Sequence, residues 1–311
     1  MIKLSTNDSK IGGEFDRIEV RGKNVTIKDV VVEGDGVALY SNYNCSVLTV
    51  EDSTFISHNN NAVKIIADNV GGVIENVTFK NCLFISWRMA VEIQNHKNTD
   101  YKVNGVRFEG CEFVIAEITE ESSYPYGLSL SGYGRNVVVK DCKFTDCLKG
   151  IEIVGFSDVT IEDCDITGSS FSIISSNDRD MEKIYIRDSK LNGMVRLTNC
   201  SSSLLVNNEI ECPYVEIKNS NNVIVAENTI TSTGHYTVML NQSSICSVKQ
   251  NNLVQEGSNY SIVRCYGSKA KNNVIVDNTL KMKKPKKGKW WDQASGATKN
   301  IFENNKTSYF K

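Results

Sequence analysis

Two glutamates occupy equivalent places in a recurring four-residue pattern, Ala90-Val91-Glu92-Ile93 and Gly150-Ile151-Glu152-Ile153. Each lies between apolar residues, so on a strand its side chain points away from the face that its neighbours bury. A carboxylate pair held on a rigid outer surface can do acid–base work on a glycosidic bond. One member protonates the leaving oxygen and the other activates water. Nearby the chain carries Trp87, Arg88, Tyr101, Tyr124, Tyr126, Tyr133 and Arg135. Aromatic rings stack on the C–H faces of sugars, and guanidinium groups meet hydroxyls and carboxylates. An eliminating enzyme would use another subset: Tyr124, Tyr126 or Tyr133 as base, with Arg88 or Arg135 neutralising a uronate. The same residues have a purely structural reading. Glu92 pairs with Lys64 of the neighbouring copy, Glu152 is a solvated strand residue, and the rings pack between loops or form a subunit contact.

A repeat must hold such residues in place. Asp158-Val159-Thr160-Ile161-Glu162-Asp163-Cys164-Asp165-Ile166 recurs in altered form along the chain. Its last apolar residue gives the series Val32, Phe55, Phe84, Phe113, Phe144, Ile166, Leu191, Ile210, Ile230, Leu253, Leu280, in steps of 19 to 31 residues. A second apolar residue lies five positions earlier, from Ile27 and Val50 to Val248 and Ile275; at one copy Leu205 and Val206 compete for the place. Between them stands a small or polar residue, among others Ser53, Cys82, Cys111, Cys142, Cys164, Asn208, Asn228, Asn251 and Asn278. This reads as an inward ladder at a bend, where stacked asparagines bond to each other and to the turn backbone. A second period-two segment separates successive copies, and no stretch has a helical period. The outward residues Lys28, Glu51, Lys80, Glu109, Lys140, Glu162 and Arg187 alternate in sign, as neighbouring strands of a stack favour.

Strand, bend, strand and turn, repeated about eleven times, predict an all-β solenoid. The pattern resembles the single-stranded right-handed parallel β-helix of the pectate-lyase-like superfamily and of phage tailspikes. The likeness is one of architecture, because the catalytic motifs of polygalacturonases, pectate lyases and mannuronan epimerases are absent. A leucine-rich repeat is the rival, and it would need a helical turn in each copy. In the predicted stack the outward floor runs Ala38, Lys64, Glu92, Ser129, Glu152, then Ser172, Arg196 and Glu216. Glu92 and Glu152 lie two rungs apart, about 9.6 Å between backbones. Inverting glycosidases separate their carboxyl groups by about 6.5–9.5 Å. Residues 67–76, 95–105 and 114–125 lengthen the turns and would wall this floor.

Residues 1–14 read as irregular, 15–280 as the β-helix, and 281–311 as a basic, tryptophan-containing segment with a degenerate last coil. Across 311 residues the net charge is −2, so no global field recruits nucleic acid. No apolar run approaches a membrane span, and the N-terminus has no signal-peptide core. Ten cysteines without metal-ligand spacing, and only three histidines, point to buried free thiols and to no metal or cofactor. Two functional classes remain. One is a polysaccharide-degrading enzyme, glycosidase before lyase. The other is a non-catalytic carbohydrate-binding or structural adhesin. The tailspike resemblance implies a virion-tail location and a homotrimer.

Overall fold

The computed structural model describes residues 1–42, 45–68, 72–97, 102–117, 124–175, 179–257, 260–284 and 289–310. Every regular element among them is a strand, and the strand pairings are parallel. No helix closes a turn among the described residues, which removes the leucine-rich rival. The chain forms two compact units, Met1–Ser169 and Ser170–Lys311.

In the first unit one coil consists of Cys45–Glu51, Thr54–Ser57 and Val63–Ile66. The next consists of Ile74–Lys80, Leu83–Ser86 and Met89–Asn95. Each strand pairs in register with its equivalent, so the unit is a parallel β-helix with three sheet faces. The expected ladder is present: Val32, Phe55, Phe84, Phe113 and Phe144 are successive partners. Phe113 and Phe144 stack at 4.3 Å, and Phe79 and Phe108 at 5.2 Å. In the second unit the same position is held by Leu191, Ile210, Ile230, Leu253 and Leu280. Leu205, not Val206, is the inward residue of its coil, paired with Ile186 and Val225 and fully buried.

The bend between the first two strands has a chemical signature. Asp52, Asn81, Gly110, Asp141 and Asp163 all adopt φ between 48° and 62°. Asp, Asn and Gly tolerate this left-handed geometry better than other residues. The following residue caps the turn. Ser53 Oγ donates to Glu51 O at 2.6 Å, and Cys82 Sγ to Lys80 O at 3.3 Å. In the second unit Asn208 Nδ2 donates to Val206 O at 2.9 Å and to Asn228 Oδ1 at 2.9 Å. Asn228, Asn251, Asn278 and Asn305 continue that chain of amides.

The alternating charges are also in register from Lys28 to Glu162. The ends differ from expectation. Ile2–Leu4 and Ser9–Phe15 are strands, paired with Ile18–Val20 and Val25–Gly34, although residues 1–14 read as irregular. Ser9–Phe15 is largely solvent-exposed, so its sequence lacks the alternation that burial imposes. The residues 281–311 include the strands Trp291–Gln293, Ile301–Glu303 and Lys306–Tyr309.

Candidate functional site

The outward row of the first unit runs Tyr40, Lys64, Glu92, Ser129, Glu152. Tyr40 takes the place expected for Ala38, which is buried in the preceding turn with its carbonyl bonded to Ile18 N. Ser172, in the second unit, is also no row member: it is fully buried and its Oγ donates to Gly193 O at 3.0 Å. Glu92 and Glu152 face the same way with Ser129 between them. Glu92 Oε2 lies 2.8 Å from Lys64 Nζ and accepts from Asn61 Nδ2 at 2.7 Å. Glu152 accepts from Ser129 Oγ at 3.3 Å and from Lys149 Nζ at 2.8 Å.

Lys149 joins the row to the aromatic residues. It is the register partner of Tyr126 and donates to Tyr126 Oη at 2.7 Å. Burial disfavours its ammonium, but the bonds to Glu152 and Tyr126 outweigh that and raise its pKa above the ordinary lysine value. It therefore remains a cation at neutral pH and serves as a fixed charge, not a base. Tyr126 meets Tyr124 edge to face at 5.8 Å, and Arg88 lies over the Tyr124 ring at 5.5 Å. Tyr124 is half exposed in a left-handed conformation, φ 66°, that bulky residues seldom adopt.

Glu92, Glu152, Arg88, Tyr124 and Tyr126 thus come together, and Trp87 adjoins them, packed on His58 at 5.0 Å. Tyr133 and Arg135 do not join this cluster. They lie past an irregularity between Ser131 and Gly134, where Arg135 pairs with Asn104 and Ser157 on the neighbouring sheet. Gly132 sits in that irregularity at φ 112°, and a Cβ there would lie 1.9 Å from Asn95 O. His96 stands at the same end, its Nε2 2.8 Å from Ser131 Oγ. Tyr101 lies outside the described residues, as do parts of the three long turns. Asn61 and Lys149 were missed by sequence reasoning because both precede the alternating segment. Their signal was position: each stands directly before the small residue, Ala62 or Gly150, that opens the alternating four-residue pattern.

All ten cysteines are buried free thiols. Among the described residues no group of three or more His, Cys, Asp or Glu side chains is arranged to hold a metal ion. The row presents instead two carboxylates, two ammonium groups and a hydroxyl beside tyrosine rings, a set able to bind a polyol and move protons.

No curated protein matches the sequence. Among solved structures, a mannuronic-acid-specific family 6 polysaccharide lyase from human gut microbiota superposes with a TM-score of 0.67 at 12% identity, covering 99% of this chain and 87% of its own. The DFA-IIIase of Arthrobacter chlorophenolicus gives a TM-score of 0.65 at 12% identity, covering 91% and 77%. The Dettilon tailspike protein gives 0.53 at 13% identity, covering 94% and 62%. At such identities the likeness is one of fold. The right-handed β-helix region family matches residues 11–191 and 150–307, so in-register coils and sequence agree, and the chain belongs to the right-handed β-helix family.

Proposed function

We propose that this chain binds a polysaccharide across the outward row of the first unit and hydrolyses it there. The observation that carries the reading is the placement of Glu92 and Glu152 on one row, two rungs apart, with Ser129 between them and the Tyr124–Tyr126 pair beside them. In hydrolysis one carboxyl group gives its proton to the leaving glycosidic oxygen as the C–O bond breaks. The other takes a proton from the water that adds to the anomeric carbon. Lys149 orients Glu152 and Tyr126, and Arg88 with Tyr124 offers a stacking platform. The finer form of the proposal is a tailspike-like depolymerase that works as a trimer in a virion tail.

The test is incubation with a panel of bacterial surface polysaccharides, read by size exclusion. Shortened polymer with the native chain, and loss of at least ~100-fold with Glu92→Gln or Glu152→Gln, is expected. Cleavage that survives both substitutions at full rate removes these residues from the chemistry. Sedimentation of the intact chain checks the trimer.

A second reading has its own support. Each carboxylate already faces an ammonium at 2.8 Å, as in a structural charge ladder. A carbohydrate-binding adhesin would use the same surface for hydroxyl and ring contacts without turnover, leaving every polymer in the panel at its original length.

A further inference from the structure

The second unit carries a built cluster of its own. Its outward row runs Arg196, Glu216, Met239, Arg264 and Asp292. Glu216 is buried and already satisfied, by Arg196 Nε at 2.6 Å and Asn241 Nδ2 at 2.9 Å. Arg264 is held differently. Its guanidinium lies 4.9 Å from the Tyr236 ring and 4.8 Å from the Tyr266 ring. Nη1 donates to Tyr236 Oη at 2.6 Å, and Nε lies 3.4 Å from Asp292 Oδ2. Among the described residues Nη2 has no partner, and the side chain remains 27% exposed. Two rings therefore fix the plane of a guanidinium whose outer edge faces solvent. Such a fork binds a carboxylate through two parallel N–H bonds.

The surroundings suit a sugar. Tyr266 is 44% exposed and Tyr260 45%, on either side of the arginine's coil position. Tyr260 stands near Tyr236 at 6.5 Å and His235 at 5.0 Å. Burial raises the Tyr236 pKa, so its phenol keeps its proton. Because its oxygen accepts from Arg264, that proton is available to a ligand oxygen.

We infer that Arg264, Tyr236, Tyr260 and Tyr266 form a binding site for a carboxylate-bearing sugar, one uronate unit of an acidic polysaccharide. The carboxylate takes the Nη edge of Arg264, the Tyr236 hydroxyl donates to it or to a ring hydroxyl, and an exposed tyrosine ring covers a C–H face. Asp292 keeps the guanidinium in place and repels a second anion. This site requires no turnover and does not depend on Glu92 or Glu152.

The experiment is calorimetric titration of the full chain with a tetra-uronate, its neutral tetrasaccharide counterpart and a sulfated tetrasaccharide. The tetra-uronate is expected to bind, the neutral sugar at least ~10-fold more weakly. Arg264→Ala should lower uronate affinity by about 10- to 100-fold, the range for hydrogen bonds to a charged group. Tyr266→Ala, a substitution on the exposed surface, should weaken binding with an unchanged thermal midpoint. Lys28→Ala, on the exposed charge ladder and outside both sites, should leave the affinity as it was, which controls for the loss of one surface cation. Absence of uronate binding, equal affinity in Arg264→Ala, or preference for the sulfated sugar would overturn the inference.

Discussion

At the scale of single residues, two kinds of ion pair share one architecture and differ in burial. Lys28 and Glu51 meet at 3.4 Å with side chains 40% and 35% exposed, whereas Lys64 and Glu92 meet at 2.8 Å with 26% and 12% exposed. Exposed pairs are screened by water and salt, and drier ones less so. Glu92 also holds Asn61. A double-mutant cycle on Lys64 and Glu92, measured by urea unfolding, should give a coupling of about 1–2 kcal/mol. The same cycle on Lys28 and Glu51 should stay at the level of measurement error and vanish in high salt. Equal coupling in the two pairs would mean that the site carboxylate is held no more tightly than the surface ladder. The Lys64–Glu92 pair was legible in the sequence because both residues obey the period-two alternation. Lys149 was not, since it stands directly before Gly150 in the strand Lys143–Glu162, ahead of the alternating residues that mark which way a side chain points.

At the scale of elements, the bend decides what the sequence reveals. The inward ladder from Ser53 through Cys164 and from Asn208 to Asn278 could be read directly, because each member must be small or must satisfy the turn. The left-handed residue just before it is Asp, Asn or Gly at Asp52, Asn81 and Gly110 but Glu227 and Gln250 before Asn228 and Asn251, so residue type alone does not mark it. The first coil was harder. Gly36-Val37-Ala38-Leu39 mimics the alternation two residues ahead of the true strand Leu39–Ser41. A slip of two leaves inward and outward parity unchanged, so hydrophobic pattern alone cannot detect it. The ladder itself is testable. Asn228→Ala removes the acceptor of the Asn208 backbone N–H and the donor to two bend carbonyls, since Asn208 N donates to Asn228 Oδ1 at 2.9 Å and Asn228 Nδ2 donates to Leu205 O at 2.8 Å and to Ala226 O at 2.9 Å. Each buried group left without a partner costs about 1–3 kcal/mol. Urea unfolding should show a loss in that range or above it, against a change within about 0.5 kcal/mol for Thr229→Ala on the exposed side of the next strand. A neutral Asn228→Ala would show that the amide column fills space without satisfying the bends.

At the scale of the whole molecule, the cores of the two units differ in substance. The first is built on stacked phenylalanines, the second on aliphatic residues beside the amide column. Both bury cysteine, and the thiols couple folding to pH. Burial pushes Cys45, Cys147, Cys212 and Cys265 up to about 12, and Cys200 and Cys246 up to about 11. An unfolded thiol titrates near ~8.5. Below that value both states hold the proton and the contribution is fully present. Above it the unfolded chain releases protons that the folded chain retains, so stability falls as pH rises, until the folded thiols titrate near 11 to 12. Each thiol in that window contributes a slope of about 1.4 kcal/mol per pH unit. The urea midpoint should therefore hold steady from pH 7 to 8 and drop steeply between pH 9 and 11. Replacing Cys212 and Cys265 with alanine should flatten the drop, because two of the titrating groups are gone even though their packing is lost. Native protein at pH 8 should leave all ten cysteines unalkylated by iodoacetamide over minutes, while the urea-unfolded chain takes ten equivalents. Rapid labelling of the folded chain, or a midpoint indifferent to pH above 9, would place these sulfurs in contact with water and remove the dry interior on which the register of every outward row depends.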